Sequence, residues 1–372
     1  MNNSRREFLK TSIVAGAAIG MSASGTGDVR AAGQNPSKRP PITIAGYKFD
    51  RVEALVDGRI QIEGFDAKFE QASIGDLNTH VFSGPQTREV TEIGLSPFML
   101  AYANEEFRDY TLIPVFPLCQ FRHKSIFIRT DRGIKTPEDL RGKKVATPGY
   151  SSTSLTWIRG IVQHEYGVKP GEIQWVISSK DSSAAVSGGA SKQEQVLPKD
   201  ITIIKGPAGM DESDLLVNGQ VDALFHAVEP LAYVQGNPIV ARLFADFRKT
   251  ERAYYAKTGI FPIMHAVAIR KDMIEKYPEF PKVVFDAYSK AKKLMYNHMR
   301  KLAWAMISLP WVAQEIEETR ALMGENFWPY GIEPNRKALE ALFQYSYEQG
   351  LAKKKLAIEE LFHPSTLKLM DS

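Results

Sequence analysis

The chain has 372 residues, of which 44% are hydrophobic and 24% charged, a composition typical of a globular protein with room for two α/β lobes. Its formal net charge of +4 is small, and the sequence lacks the long basic run that a nucleic-acid surface needs, so we expect no nucleic-acid partner. Cys119 is the only cysteine. A lone thiol cannot form an intramolecular disulfide, and without neighbouring ligands it predicts a buried structural residue.

The N-terminus has the features of an export signal. Ser4 to Lys10 contains two adjacent arginines in the twin-arginine pattern, and a short apolar segment follows from Ile13 to Met21. That segment is far shorter than the roughly 20 residues that cross a bilayer. We therefore predict that residues 1–32 are a cleaved twin-arginine signal, that residues 33–41 are a linker, and that the mature protein is periplasmic.

Strands and short helices alternate along the first part of the mature chain, which favours a parallel-rich α/β lobe. The first strand is predicted at Ile42–Ala45 and a later one at Glu89–Gly94. A second run of alternating elements follows from Thr136. The segment Ser178 to Gln195 is rich in small residues and is predicted to be a surface loop. Apolar residues at helical spacing predict that the C-terminal third is mainly helical.

Two stretches share one pattern. Phe121–Arg129 and Thr258–Arg270 each read as a short apolar strand that is entered through a histidine and left through an arginine. We interpret them as crossings between two lobes. The predicted fold is α/β and two-lobed, with a hinge of two crossing strands and the C-terminal helices packed on lobe one. The predicted lobe boundaries are 42–128 plus 265–372 for lobe one and 129–264 for lobe two.

Ligands of open α/β lobes bind beyond the carboxyl ends of the strands. The segment Pro148–Ser154 lies at such a place, because a strand ends at glycine and hydroxyl residues begin a helix. Free backbone N–H groups and the helix dipole favour an anion there, although simple N-capping explains the same residues. The candidate ligand residues in this segment are Tyr150, Ser151, Ser152 and Thr153. The Gly-Lys-Ser/Thr ending of a phosphate loop is absent.

Other candidates are suggested by their chemistry and their place near strand ends. Arginine can bind a carboxylate with two hydrogen bonds, which makes Arg51 and Arg122 candidates against the alternative of structural ion pairs. A histidine can donate to a carboxylate, although a histidine near an apolar strand is often only a core residue. The remaining candidates are His123, His265, His226, Ser96 and Phe261. We find no short-spacing metal motif, so no metal or cofactor is expected.

The sequence resembles the 4,5-dihydroxyphthalate decarboxylase family over about residues 42 to 365. The resemblance is carried by Phe121-Arg-His123, Asp139 to Val145, Trp157 to Ile161, Thr258 to His265 and Glu318 to Gly324 with Phe327 to Gly331. That family is similar to the type II periplasmic binding proteins of ABC transporters. The resemblance therefore implies two lobes with a ligand held between them. It leaves both binding and catalysis open.

The chain departs from the family in two respects. An enzyme of an intracellular pathway does not need an export signal, and Phe225 to Pro230 replaces a Ser-Ala-Arg-like stretch, with His226 expected to substitute in part. The first hypothesis is therefore a monomeric periplasmic solute-binding protein that delivers an organic acid, such as an aromatic carboxylate, to the permease of an inner-membrane ABC transporter. The alternative is a 4,5-dihydroxyphthalate decarboxylase with His123 or His265 as the proton donor.

Overall fold

The computed structural model describes residues 39–301 and 308–371, so the predicted signal and most of the predicted linker lie outside the described residues. Within these ranges the chain forms two β-sheets. The first has the strand order β2-β1-β3-β11-β4. Its strands are β1 (Pro41–Gly46), β2 (Asp66–Gln71), β3 (Val90–Gly94), β4 (Tyr110–Cys119) and β11 (Ile263–Arg270).

The second sheet is built from shorter strands in the order β10-β5-β9-β6-β7-β8. The strands β9, β6, β7 and β8 are adjacent in this order and pair in parallel. Strand β5 is antiparallel to both of its neighbours, β9 and β10. These strands are β5 (Ile126–Arg129), β6 (Lys144–Thr147), β7 (Gln174–Ile177), β8 (Ile203–Lys205), β9 (Ala223–Phe225) and β10 (Val240–Arg242). Because parallel strands need crossover connections, helices cover both faces.

The helices begin and end at expected signals. At the helix Thr153–Tyr166, for example, the Ser152 hydroxyl accepts from Leu155 N–H, and Gly167 ends the helix in the left-handed region with φ 70°. None of the helices in the described ranges is long and apolar enough to span a bilayer. The helices are α1 (Glu53–Val56), α2 (Ile74–Phe82), α3 (Leu95–Glu105), α4 (Thr153–Tyr166), α5 (Ala184–Ser187), α6 (Glu212–Val217), α7 (Leu231–Val234), α8 (Phe247–Thr258), α9 (Lys271–Lys276), α10 (Phe280–Met299), α11 (Val312–Met323), α12 (Arg336–Glu348) and α13 (Ile358–Leu361).

The two connections between the sheets lie side by side. The backbone N–H of Gln120, just after β4, donates to the carbonyl of Pro262, just before β11, at 2.8 Å. The predicted strand Phe121–Arg129 is too long: residues 123–125 form a 3₁₀ turn and β5 begins only at Ile126. The chain turns there because it leaves one sheet and enters the other. Cys119, at the end of β4, is buried and free as expected, and burial raises the pKa of its thiol to about 12.

The C-terminal helices do more than cover the first sheet. Helix α10 packs against the first-sheet core as predicted. Helix α12, however, also packs on α4, which follows a strand of the second sheet. Gly160 of α4 lies so close to the Tyr345 ring that a Cβ atom would overlap it, and Arg159 Nε donates to Gln349 Oε1 at 2.9 Å. Trp157 Nε1 donates to Ile263 O of β11 at 2.8 Å. Helix α4 is thus fixed to both sheets.

Candidate functional site

A cavity of about 120 Å³ lies where the carboxyl ends of strands from both sheets face each other. The start of α4 forms one wall, and the ends of β3 and β9 with the amino end of β11 form others. This is the place at which open α/β folds bind their ligands. The lining residues are Ile74, Gly94, Pro148, Gly149, Ser152, Thr153, Ser154, Leu155, Asp181, Ser183, Ser187, Ala190, Glu194, His226, Ala227 and His265.

The first turn of α4 presents a helix N-terminus to this cavity. Ser152 is the N-cap residue, and Thr153 and Ser154 are the first two helical residues. The Thr153 hydroxyl accepts from Ser96 N–H at 2.9 Å, so it also fixes the helix start to α3. The partial positive charge of a helix N-terminus stabilises an anion by roughly 0.3–1 kcal/mol, and by more in a partly buried site. This wall of the cavity therefore favours an acidic group.

His265 enters the cavity from β11 with a carboxylate behind it. Its Nδ1 lies 2.6 Å from Glu92 Oε1, and Glu92 is only 2% exposed. The second carboxylate oxygen accepts the backbone N–H of Tyr47 at 3.0 Å, and the Tyr47 ring stacks beside the imidazole at a centroid distance of 6.2 Å. The histidine ring is consequently held in one orientation.

His226 sits between two carboxylates on the opposite side. Its Nε2 lies 3.2 Å from both Asp181 Oδ1 and Glu212 Oε1, and its Nδ1 lies 3.0 Å from Val228 O, to which the protonated ring donates. Burial lowers the pKa of His226, but the two carboxylates outweigh it and the pKa ends above its usual range. Burial raises the pKa of Glu212. Burial also raises the pKa of Asp181, but hydrogen bonds from His226 and Ser183 bring it below its usual range.

The same three residues have ligand types that a divalent cation accepts. The donor atoms of Asp181, Glu212 and His226 lie within 4.8 Å of one another, a grouping that the sequence could not reveal because the residues come from three separate segments of the chain. A protonated imidazole between two carboxylates already provides hydrogen-bond partners for all three side chains without a metal. The cluster could hold a metal, but its own hydrogen bonds account for its geometry.

A further part of the wall is the segment 181–195, which we call the cavity strap. It was predicted to be a surface loop, but it packs against the amino end of α2. A Cβ atom at Gly75 would overlap the carbonyl oxygen of Gly189, and Asn78 Nδ2 donates to Glu194 Oε2 at 3.2 Å. At its far end Gln193 Nε2 donates to Glu105 Oε2 at 3.0 Å. The strap thus joins the second-sheet half of the molecule to the first.

Of the predicted ligand residues, Ser152, Thr153, His226 and His265 line the cavity, and the two arginines do not. Arg51 lies between the Phe49 and Trp328 rings, 4.3 and 3.9 Å from their centroids, and its Nε donates to Pro117 O at 2.6 Å. Arg122 is buried behind the wall, where its Nη1 donates to Ala227 O at 3.0 Å. Burial lowers the pKa of Arg122 to about 10.

Four other predicted residues form a layer behind the cavity or lie beside it. Ser96 Oγ donates to Ser151 O at 3.0 Å, and Ser151 Oγ donates to the strap carbonyl of Gln193 at 2.8 Å. Tyr150 is fully buried, with the Arg159 guanidinium 3.6 Å from its ring centroid. Phe261 packs on Phe121 and Trp328, at 4.8 and 5.1 Å. These residues shape the walls without lining the cavity.

His123 does not line the cavity either. It is 1% exposed and packs against Phe244 and Tyr254, and within the described ranges neither ring nitrogen has a hydrogen-bond partner. Burial lowers the pKa of His123 to about 4. The structure therefore separates the two histidines that the sequence treated as equivalent.

Protonation of His123 is expected to destabilise the fold. Its folded pKa of about 4 lies below the ordinary value of 6.5. The neutral imidazole therefore makes its full contribution to the free energy of unfolding above pH 6.5, and that contribution is lost as the pH falls towards 4. The loss corresponds to about 3 kcal/mol. Urea unfolding of His123→Leu and wild type at pH 7.5 and pH 4 measures it: the wild type should lose about 3 kcal/mol more than the variant. An equal loss in both proteins would contradict the assignment.

The functional residues that sequence reasoning missed are acidic. Glu92, Asp181, Glu194 and Glu212 were not selected, although they line the cavity or contact its histidines. Glu92 carried one signal, since it is a carboxylate in the interior of a predicted strand, between Thr91 and Ile93. An ionised group on a buried strand needs a partner, and that partner, His265, lies 173 positions away.

Comparison with known proteins identifies the family. The chain is 31% identical over 326 residues to a 4,5-dihydroxyphthalate decarboxylase of Comamonas testosteroni, covering 88% of this chain and 97% of that protein. The chain belongs to the 4,5-dihydroxyphthalate decarboxylase family. A second member of this family, from Pseudomonas putida, is 31% identical over 205 residues, covering 55% of this chain and 77% of that protein. The resemblance noted from the sequence motifs is thereby confirmed.

The fold of this decarboxylase-family member is also found among binding proteins. The periplasmic aliphatic sulphonate binding protein SsuA of Escherichia coli superposes with a TM-score of 0.50 at 16% identity, covering 87% of this chain and 97% of that protein. Residues 88–191 match the family described as NMT1/THI5 like. The structural match confirms the predicted two-lobed periplasmic binding protein fold.

Proposed function

We propose that this protein binds a small organic acid, of the aromatic carboxylate class, in the interlobe cavity and delivers it to an ABC-type transporter after export by the twin-arginine pathway. The observation that carries the proposal is the cavity itself, in which the first turn of α4 and two histidines converge. The helix N-terminus would take the carboxylate, and His265 and His226 would contact the rest of the ligand.

Several features support binding of this kind. The fold is shared with a sulphonate-binding protein, and sulphonates, like carboxylates, are anions with several acceptor oxygens. The family relatives are named for a substrate with two carboxylates on one ring. The twin-arginine pattern in Ser4–Lys10 supports an exported location.

A thermal-shift screen of the purified mature protein against aromatic and aliphatic acids tests the proposal. We expect the protein to be stabilised by at least one aromatic carboxylate, because a ligand that binds only the folded state raises its stability. Each stabilising acid is then incubated with the protein and assayed for carbon dioxide. Stabilisation without product supports a binding protein. A panel that gives no shift at saturating concentrations contradicts the proposal.

Decarboxylation is the second candidate, and the pairing of His265 with Glu92 favours it. A histidine that lines a cavity and has a carboxylate on its other nitrogen can deliver a proton to a ligand atom. The relatives' name points to 4,5-dihydroxyphthalate as the substrate to test. Release of carbon dioxide from this acid would establish decarboxylase activity. Binding of the acid without release of carbon dioxide would support a binding protein instead.

A further inference from the structure

We propose that Glu92 is a positioning residue that keeps a proton on Nδ1 of His265, so that the proton which His265 exchanges lies on Nε2 and faces the ligand. The inference rests on the proposed function in one respect: it assumes that the ligand binds in the cavity. It deepens that function by assigning the chemical state of the group that the ligand meets. Within the described ranges Nε2 has no protein hydrogen-bond partner, whereas Nδ1 has Glu92 at 2.6 Å.

The hydrogen bonds of Glu92 determine which nitrogen carries the fixed proton. A backbone N–H can only donate, so Glu92 Oε2 must accept from Tyr47. The ionised carboxylate then accepts at Oε1 as well, and Nδ1 of His265 must be the donor. The nitrogen left free to exchange a proton with a ligand is therefore Nε2 of His265, a residue that lines the cavity.

The surroundings of Glu92 leave the carboxylate little freedom. A Cβ atom at Gly46 would lie 2.9 Å from Glu92 Oε2, so only glycine allows the carboxylate to approach the backbone at this position. Glu92 lies on β3 opposite Val267 of β11, two residues from His265. Both partners therefore belong to adjacent, hydrogen-bonded strands, and the pair is fixed by the sheet rather than by mobile loops.

This arrangement serves both candidate functions through the same atom. In a binding protein, the imidazolium form of His265, protonated on both nitrogens, donates from Nε2 to an acidic group of the ligand. In decarboxylation, the bond between ring carbon and carboxylate breaks, the electron pair stays on the ring carbon, and the Nε2 proton forms the new C–H bond. Carbon dioxide leaves, the ring is left as the neutral Nδ1–H imidazole, and a proton from solution restores the imidazolium.

The variant Glu92→Gln makes a definite prediction about the imidazole. The Tyr47 N–H requires an acceptor, so the amide oxygen turns towards it and the amide NH₂ group faces His265 Nδ1. Nδ1 must then accept, and the neutral ring changes to the tautomer with the proton on Nε2. We therefore expect wild-type His265 to be predominantly the Nδ1–H tautomer and the variant to be predominantly the Nε2–H tautomer.

Nitrogen NMR of ¹⁵N-histidine-labelled mature protein without ligand measures the tautomer directly, with His265→Phe identifying the signal. Glu194→Gln is the matched control, since it removes a carboxylate from the same cavity that does not touch His265, and it should leave the tautomer unchanged. If Glu92→Gln does not fold, Gly46→Ala displaces the carboxylate without removing its charge and should reduce the Nδ1–H population. An unchanged tautomer in the folded Glu92 variant, or in Gly46→Ala, overturns the inference.

The NMR result does not depend on the identity of a ligand. If the tautomer changes as expected but no acid binds, the positioning role stands and the proposed function fails. If an acid binds but the tautomer of the variant is that of wild type, the positioning role fails and the proposed function stands.

Discussion

Replacing Gly75 by alanine is expected to weaken binding of an organic acid roughly 5- to 150-fold. The new Cβ atom would overlap the backbone of Gly188 and Gly189, and overpacking of this kind costs about 1–3 kcal/mol. The cavity strap must then move away from α2. Because the strap carries Asp181 and Glu194 on the cavity wall, the displacement changes the shape of the site.

Gly189→Ala is the matched control, because a Cβ atom at Gly189 has open space around it. It adds a methyl group to the same contact region without a clash and should keep wild-type affinity. Titration calorimetry with the acid selected by the thermal-shift screen compares the variants. Equal affinities for both would show that the strap's contact with α2 does not shape the site.

Asp371→Ala is expected to destabilise the protein by about 3–5 kcal/mol, because it leaves a buried charge without its partner. Lys292 and Asp371 pair with side chains only 3% and 4% exposed. Asp371 also accepts from Tyr330 N–H at 2.9 Å and from Asn326 Nδ2 at 3.1 Å. This cluster connects the segment around Asp371 to α10 and to the loop Phe327–Gly331 before α12. Urea unfolding monitored by fluorescence measures the change.

Helix α10 itself provides the control. Lys282 and Asp286 form an exposed pair one turn apart on the same helix, with side chains 61% and 37% exposed. Exposed pairs of this type contribute about 0.3–0.5 kcal/mol, so Asp286→Ala should change the free energy of unfolding by no more than that. A similar effect of the two substitutions would contradict the burial argument.

Local sequence signals predicted the backbone elements that form the site. The start of α4 was predictable because Ser152 is a strong N-cap residue and Pro148-Gly149 ends the preceding strand, and both features act within a few residues. The apolar run of β11 predicted a buried strand for the same reason. His265 was therefore placed correctly within a strand and lies on the cavity wall.

Partners that are distant in sequence could not be predicted in this way. The chemistry of Arg51 suits a carboxylate, but its actual contacts include Trp328 and the carbonyl of Pro117. His123 stands in the same sequence pattern as His265, before an apolar strand that ends in arginine, but the rings of Phe244 and Tyr254 pack against it. Such contacts depend on how separate elements pack, and the guanidinium or imidazole group alone does not specify them.

The most direct test of the central claim places a negative charge where the ligand's acid group should bind. Ser154, the second residue of α4, lines the cavity, and Ser154→Asp puts a carboxylate there, whereas Ser154→Asn has nearly the same shape without the charge. An aspartate in the first turn does not destabilise a helix, so both variants should unfold at about the wild-type temperature.

Titration calorimetry with phthalate and 4,5-dihydroxyphthalate then measures the affinities. We predict that wild type binds at least one of these acids, that Ser154→Asp weakens its binding on the order of 100-fold through like-charge repulsion, and that Ser154→Asn stays close to wild type. Equal affinities in wild type and Ser154→Asp, or no binding of either acid to wild type, would contradict an aromatic acid bound at the start of α4.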